Sequence, residues 1–276
     1  VSPAPGGLSG RLRVPGDKAR LSTFAEGNSW GTYNLQFDAV RPLAKAFSRG
    51  GGVGTDHNLF PDGAANYESN IGLLARWLPL RELEILPFWS RKDTYIRKVG
   101  EAYQPRGDFL PNPVPERHFL GPDWATHRDF SYNYGSLVNV TLASWRARLG
   151  IFRSEFASPK NAFPQLVGLD PTGRGELEVK VSPASYLGST SGEFRLEKTF
   201  GVNQFVQRLI LSLRGRNWNG RYGNSVTADV GPQAINQYIT SPMPIISFAP
   251  LIHDHVDESW IGLGYQVAWL DRLQMS

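Results

Sequence analysis

Apolar and polar residues alternate with a period of two along much of this chain. In the clearest case, Tyr33, Leu35 and Phe37 are separated by Asn34 and Gln36. Such alternation predicts β-strands with one apolar and one polar face, because successive side chains point to opposite sides of a strand. The same pattern recurs in the segments 33–39, 71–77, 129–142, 145–151, 193–200, 205–214 and 261–269. Helical spacing of apolar residues is hard to find, so the sequence predicts an all-β protein.

The connections between these strands alternate between short and long. Short turns are predicted at Leu78–Arg81, Ala143–Ser144 and Gly201–Gln204. The long stretches, predicted to be irregular, are 50–66, 96–128, 159–191 and 215–258, all rich in turn-forming and aromatic residues. Several structureless loops of this length are unusual in a compact domain. Transmembrane β-barrels, in contrast, have short periplasmic turns and long extracellular loops, so we predict an antiparallel transmembrane β-barrel.

The composition agrees with a barrel and excludes several other classes. No apolar run approaches the roughly 20 residues of a transmembrane helix. The absence of cysteine excludes a disulfide scaffold and a thiolate metal site. The formal net charge is +4 and the arginines are scattered, so we expect no nucleic acid as a partner. Val1 is neither Met nor the start of a signal peptide, and we expect the natural start to be missing or processed.

Three motifs follow one another near the start of the chain. Gly6–Val14 has a glycine pair before a short strand, Leu21–Tyr33 ends in NSWGTY, and Leu35–Leu43 ends in Arg-Pro-Leu. In this order they resemble the last plug strand, the first barrel strand with its turn, and the second barrel strand of TonB-dependent outer-membrane receptors. That family's second strand typically closes on Gly-Pro-Leu, so Arg41 is a departure. A looser likeness to the family's hairpins runs from Leu74 to Ile85.

The resemblance implies a fragment of a larger receptor in the bacterial outer membrane. Residues 1–14 would be the last strand of the plug domain. Residues 15–276 would be the N-terminal part of the barrel, with about ten of the family's 22 strands. The implied function is active uptake of a metal chelate, with an iron-siderophore as the leading substrate class. The family performs no covalent chemistry on its substrate, so neither catalytic residues nor a cofactor are expected.

The resemblance also implies partners and a ligand-binding region. The TonB complex would act through a plug region missing here, and the barrel would contact outer-membrane lipid and lipopolysaccharide. Aromatic and Arg side chains in the long loops suit a flat, anionic metal chelate, through stacking and charge-assisted hydrogen bonds. The candidates are Tyr95, Tyr103, Arg106, His118, Trp124, Trp218, Arg221, Tyr222 and Tyr238. Packing of the loops on one another, or a position among lipid headgroups, is the alternative role of these residues.

Other clusters of polar residues have simpler structural interpretations. His253–His255, with Asp254 between the histidines, would suit a divalent ion in an extended segment, but a polar loop before Trp260 is favoured. Gly50–Gly54 lacks the following Lys and helix of a phosphate-binding loop, and we interpret it as a flexible turn. Glu193 and Glu197 share a strand face, as in a glycosidase pair but also as in a polar lumen.

Two alternatives to a receptor stay open from the sequence. A stand-alone outer-membrane barrel of 8 to 12 strands, such as a porin, adhesin or enzyme, would pair its last strand with its first. A soluble β-sandwich or solenoid that binds or cleaves carbohydrate would stay folded without detergent. A barrel would not, because it exposes an apolar band about 25 Å tall.

Overall fold

Fourteen β-strands make up the regular structure in a computed structural model. It describes residues 15–276 other than 17, 111, 112, 114, 115, 117, 118, 120, 203, 204, 236, 238–240, 270–272 and 276. The strands are β1 (Arg20–Gly27), β2 (Tyr33–Ala44), β3 (Phe47–Leu59), β4 (Ala65–Leu80), β5 (Leu83–Lys98), β6 (Ala102–Pro105), β7 (His127–Leu142), β8 (Trp145–Leu169), β9 (Arg174–Ser182), β10 (Ser185–Val202), β11 (Phe205–Tyr222), β12 (Val226–Ala234), β13 (Ile252–Trp269) and β14 (Leu273–Met275). Among the described residues, no helix is long and apolar enough to cross a membrane.

Ten long strands form one continuous antiparallel wall. β1 to β5 pair in chain order, and β7, β8, β10, β11 and β13 follow. The short β14 pairs with the end of β13. Short turns join β2 to β3, β4 to β5 and β7 to β8 at one edge of the wall. At the opposite edge, short turns also join β1 to β2 and β3 to β4, whereas long connections follow β5, β8 and β11. The predicted all-β architecture, with about ten antiparallel strands in the wall, is confirmed.

The strand register brings apolar side chains of neighbouring strands together on one side of the wall. Phe37 lies opposite Val53, and Val53 lies opposite Ile71. Near the other edge, Leu211 lies opposite Leu263, whose side chain is 80% exposed. We call this side of the wall, which carries Phe37 and Leu211, the apolar face. So extended an exposed apolar surface is typical of a protein in contact with another apolar phase.

Towards the long connections, the apolar face gives way to aromatic and then charged residues. The rings of Tyr33 and Tyr67 flank that of His57, with centroid distances of 5.3 and 4.1 Å. On β8 the same face carries Arg153, whose Nε donates to Glu155 Oε1 at 2.6 Å. An apolar band bordered by aromatic rings is the profile of a strand that leaves hydrocarbon for water.

The opposite side of the wall, the polar face, carries charged residues that pair across strands. Lys92 Nζ lies 2.9 Å from Glu68 Oε2. The carboxylate of Glu193 accepts hydrogen bonds from Arg195, Ser212 and Arg214 at 2.8, 3.1 and 3.3 Å. Such pairing satisfies the charges that this face carries.

The polar face also carries apolar residues, which is a departure from the predicted alternation. The rings of Phe88 and Phe152 stack there with their centroids 5.8 Å apart. Gly135 separates them in the register, between β5 and β8. A side chain on Gly135 would overlap the backbone of β8 next to it.

Three stretches predicted to be irregular are largely extended strands. Gly50–Gly54 belongs to β3 and not to a flexible turn, and His253–His255 belongs to β13 and not to a polar loop. The stretch 159–191 contains the end of β8, all of β9 and the start of β10. The stretch 215–258 contains the end of β11, all of β12 and the start of β13. Much of this strand structure escapes the sequence pattern because it runs past the apolar band, where apolar and polar residues alternate only over short stretches.

Most of the fully buried side chains lie outside the wall, in a small sheet built by the long connections. Beyond the wall, β8 pairs with β9, β9 pairs with β12, and β6 lies parallel to the end of β8. We call these paired segments the loop sheet. Its buried clusters consist of Ala125, Ala162, Val179 and Val181, and of Leu166, Leu169, Leu177 and Ile235. The long connections are therefore a folded unit with a core of its own.

Gly135→Ala should destabilise the wall. A Cβ atom at this position would lie 2.1 Å from the carbonyl oxygen of Ile151 and 3.0 Å from Phe88 Cζ. We expect a loss of at least about 1–3 kcal/mol, because backbone must move to relieve the overlap. The measurement is the heat-modifiable mobility of the whole protein in detergent. Gly72→Ala is the control, since its Cβ meets nothing closer than 3.9 Å; equal behaviour of both variants would contradict the prediction.

Candidate ligand-binding site

A cavity of about 810 Å³ lies between the loop sheet and the ends of β4 and β5. We call it the loop cavity. Its wall residues Asn66, Ile96 and His127 are cross-strand neighbours, so they share one side of the wall. That side is the polar face, because Asn66 follows the same alternation as Glu68. The volume falls within the range of small-molecule sites, which are mostly apolar with a few polar groups.

A tight turn between β3 and β4 forms one rim of the cavity. The amide of Gly63 donates to the carbonyl of Phe60 at 2.9 Å, and the amide of Ala64 donates to Asp62 Oδ1, also at 2.9 Å. The other carboxylate oxygen of Asp62 faces Gly100, where a Cβ would lie only 3.3 Å away. The turn therefore fixes a carboxylate beside the segment that enters β6.

The surroundings of Glu101 disfavour the ionised form of its carboxyl group. Burial, reinforced by the nearby charge of Asp62, raises the pKa of Glu101 to about 7, although hydrogen bonds from Gln233 and Tyr103 oppose the rise. The Nε2 atom of Gln233 lies 3.5 Å from Glu101 Oε1. Burial and the neighbouring carboxylates also raise the pKa of Tyr103. The edge of the loop cavity therefore carries a proton that is exchangeable near neutral pH.

Buried oxygen atoms without donors occur at two residues that line the cavity, Asn66 and Glu101, and at Asp129, two residues along β7 from the lining residue His127. Asn66 Oδ1, Glu101 Oε2 and Asp129 Oδ1 are buried and accept no hydrogen bond from the described residues. The other oxygen of Asp129 pairs with His127 Nε2 at 2.6 Å. An unsatisfied buried polar atom costs about 1–3 kcal/mol. The cavity is therefore suited to a ligand that presents hydroxyl or N–H donors on an otherwise apolar body.

Metal binding receives no support from the side chains in the described ranges. No group of three or more His, Asp or Glu residues there is arranged to hold an ion. In β13 His253 and His255 share one face, whereas Asp254 lies on the other and accepts a hydrogen bond from Tyr222. His255 Nε2 instead contacts Asp257 at 2.7 Å.

Two of the predicted ligand residues help to build the loop sheet. Tyr103 packs against the cluster that contains Leu166, and Trp124 packs against the cluster that contains Val179. The indole N–H of Trp124 donates to the carbonyl of Ser241 at 3.1 Å. Nearby, the amide of Arg106 donates to the Leu169 carbonyl at 2.9 Å, and the Arg106 side chain is exposed.

The other predicted ligand residues do not cluster with Tyr103, Trp124 and Arg106. Tyr95 lies on the apolar face opposite Tyr67. Trp218 and Tyr222 lie on the polar face of β11, whereas Arg221 lies on its apolar face. These three residues therefore cannot contact one ligand from the same side of the wall. His118 and Tyr238 lie outside the described residues. A role in ligand contact stays a prediction for all nine residues.

The residues around the loop cavity were not among the candidates from sequence. Asn66, Glu101 and His127 carry no distinctive motif, and each stands beside an ordinary strand end or turn. Their common feature is partial burial beside the loop sheet, whose strands the alternation pattern does not reveal. The pair Glu101 and Tyr103, a carboxyl and an aromatic two residues apart before a long polar stretch, is the only local signal.

Comparison with known proteins identifies the architecture. No protein-family model matches the sequence, and a comparison with curated proteins finds no match. Among solved structures, the Pseudomonas aeruginosa ferripyoverdine receptor matches 92% of this chain with a TM-score of 0.74 at 11% identity. The ferric preacinetobactin receptor BauA of Acinetobacter baumannii matches 93% (TM-score 0.73, 14% identity), and the ferric-catecholate import receptor Fiu of E. coli K12 matches 92% (TM-score 0.74, 8% identity).

The chain has the barrel fold of outer-membrane siderophore receptors. It spans 35%, 39% and 43% of the lengths of these three receptors, respectively. The resemblance noted in the first strands is therefore confirmed for the fold. A soluble β-sandwich or solenoid does not agree with the single continuous wall.

The raised pKa of Glu101 predicts a pH-dependent stability of the loop sheet. The folded state keeps the proton between pH 4.5 and about 7, where an unfolded Glu has lost it. The free energy of opening should therefore fall as the pH rises through this window, by at most about 3 kcal/mol, and level off above it. Glu101→Gln should remove the dependence.

The measurement is hydrogen exchange of β9 and β12 amides at pH 5 and pH 8, corrected for intrinsic exchange rates. Glu176→Gln, at an exposed carboxylate of β9, is the matched control and should keep the wild-type pH dependence. A Glu101→Gln protein that still loses protection on going to pH 8 would assign the effect to other groups.

Proposed function

We propose that this chain is the N-terminal part of the barrel of an outer-membrane receptor that imports a ferric siderophore with the help of the TonB complex. The observation that carries the proposal is the match of more than nine-tenths of the chain to three receptors of ferric siderophores. In this arrangement the apolar face contacts outer-membrane lipid and the polar face lines the lumen. The long connections face the cell exterior, where lipopolysaccharide surrounds the barrel.

The position of the loop cavity supports ligand capture from outside. The cavity lies on the lumen side of the wall, at the end that carries the long connections. Its lining residues Asn66 and Glu101 each carry an acceptor without a donor among the described residues, and these acceptors would receive amide N–H or hydroxyl donors from the organic part of a chelate. The Arg and aromatic residues predicted from the sequence would contact the chelate from other loops.

Residues 1–14 would lead from the plug domain into the barrel. Support comes from Pro15, whose carbonyl oxygen accepts a hydrogen bond from the buried Ser48 hydroxyl at 3.2 Å. Ser48 belongs to the polar face of β3, because its register partner Pro42 alternates with Arg41 of the apolar face. The chain therefore approaches β1 from the lumen side, as the end of a domain inside the barrel would.

Transport is the direct test of this function. The whole receptor that contains this chain should promote uptake of radioactive iron in cells without other siderophore receptors. The three ferric complexes to supply are ferripyoverdine, ferric preacinetobactin and a ferric catecholate, and uptake of at least one is expected. It should cease in cells without TonB. Uptake that continues without TonB, or none with any complex, would contradict the proposal.

Asn66→Ala should weaken binding of the transported complex by about two- to tenfold. The substitution removes a buried acceptor, and a hydrogen bond of this kind contributes about 0.5–1.5 kcal/mol. Quenching of Trp fluorescence in the purified receptor measures the affinity. Asn70→Ala is the matched control, since Asn70 lies four residues along the same face of β4, outside the cavity. Equal affinities of the two variants would place the ligand elsewhere.

A further inference from the structure

Two arginines lie side by side on the apolar face. Arg41 of β2 and Arg49 of β3 are direct register partners, four and three residues from the turn at Lys45–Ala46. Both side chains are exposed, and neither forms an ion pair in the described part of the chain. Like charges that face each other across two strands are destabilising. An anion bound between the two guanidinium groups would remove this repulsion.

The wall itself does not supply that anion. Among the described residues of β1 to β5, Asp93 carries the only carboxylate on the apolar face. It accepts two hydrogen bonds from Arg91, at 2.7 and 2.9 Å. Arg91 and Asp93 lie towards the long connections, while Arg41 and Arg49 lie near a short turn. The positive charge of the arginine pair is thus uncompensated at its own level of the membrane.

A groove of about 690 Å³ on the same face is lined by both arginines. Its floor is formed by small residues, Ala39, Gly51 and Ala75, and its flanks include Leu73 and Trp89. The groove exists because Gly51 has no side chain; a Cβ there would lie 2.8 Å from Leu73 Cδ2. Its lining is mainly apolar, and its charged end is formed by the guanidinium groups.

We propose that this groove binds a phospholipid of the periplasmic leaflet, with the phosphate held by Arg41 and Arg49 and an acyl chain on the small-residue floor. The proposal rests on the outer-membrane location in the proposed function. Short turns of such barrels face the periplasm, so the pair meets the phospholipid leaflet and not lipopolysaccharide. Planar guanidinium groups bind phosphate oxygens in pairs of hydrogen bonds, which a single ammonium does not.

The depth of the pair fits this ligand. Four residues of a strand tilted by about 40° rise roughly 10 Å above the turn. An arginine at that depth extends its apolar stem along the barrel and its charged end towards the headgroups. The groove then runs upward from the phosphate into the hydrocarbon. The charge of the arginine pair and the shape of the apolar groove both fit a lipid with an anionic headgroup and an acyl chain.

The test is native mass spectrometry of the whole receptor, purified in detergent and titrated with phosphatidylglycerol. The double variant Arg41→Gln/Arg49→Gln should bind the first lipid at least about tenfold more weakly than the wild type. Arg41→Lys/Arg49→Lys should give an intermediate affinity. The control Arg146→Gln/Arg148→Gln removes two exposed arginines that lie on the polar face of β8, and should bind as the wild type does.

A third variant, Ala75→Phe, fills the groove without changing the charge and should also lower lipid affinity. The proposal would be overturned by lipid binding that is unchanged in the double Gln variant, or lowered equally in the control. Inorganic phosphate that binds as tightly as the lipid would also overturn it, because the groove would then contribute nothing to the affinity. Failure of the proposed function is distinguishable, since it appears as absent iron uptake by a receptor that still binds lipid.

Discussion

Backbone hydrogen bonding in the absence of water is the constraint on which the wall depends. In hydrocarbon every N–H and C=O group needs a partner from the protein, and a sheet supplies one only through its neighbours. The pairing of β10 with β11 runs without a break from Tyr186–Arg221 to Val202–Phe205. The register shifts in the rest of the wall lie near strand ends, as between Pro42 and Ala44 or between Arg128 and Phe130. Irregularity is thus confined to levels that water reaches.

The same constraint explains which features the sequence alone could predict. Where the two faces of the wall differ in polarity, apolar and polar residues must alternate along a strand, and segments such as 33–39 and 205–214 show this alternation. The short turn at Ala143–Ser144 was predictable because it interrupts two such alternating segments. In the loop sheet this alternation is confined to short stretches, and the extended residues of β9 and β12 do not stand out from loops in the sequence.

The loop cavity escaped prediction for a related reason. Glu101, Asn66 and Asp129 are ordinary residues in the sequence, and their property of interest is that their oxygens are buried without donors. Burial there depends on contacts between segments far apart in the chain, such as Glu101 with Gln233. Tyr103 and Trp124, predicted as ligand residues, lie in the long connection between β5 and β7, Tyr103 within β6, and aromatic character alone does not separate packing from recognition. In the structure both rings pack into the buried clusters.

The two faces of the wall differ in how their charged residues are compensated. On the polar face, Glu193 and Glu68 form ion pairs with neighbouring basic residues. Near the short turns of the apolar face, Arg41 and Arg49 stand out because neither forms an ion pair within the described part of the chain. An isolated charge on a lipid-facing surface is costly, so its presence carries more information than any charge in the lumen.

β8 runs for 25 residues, from the short turn through the wall and into the loop sheet. A strand shared by two sheets makes the outer part of the molecule a stiff extension of the barrel, with no hinge between them along this strand. The walls of the loop cavity are then preformed. A cavity with preformed walls loses little binding affinity to the ordering of loops, and encounter and orientation set the association rate of whatever it binds.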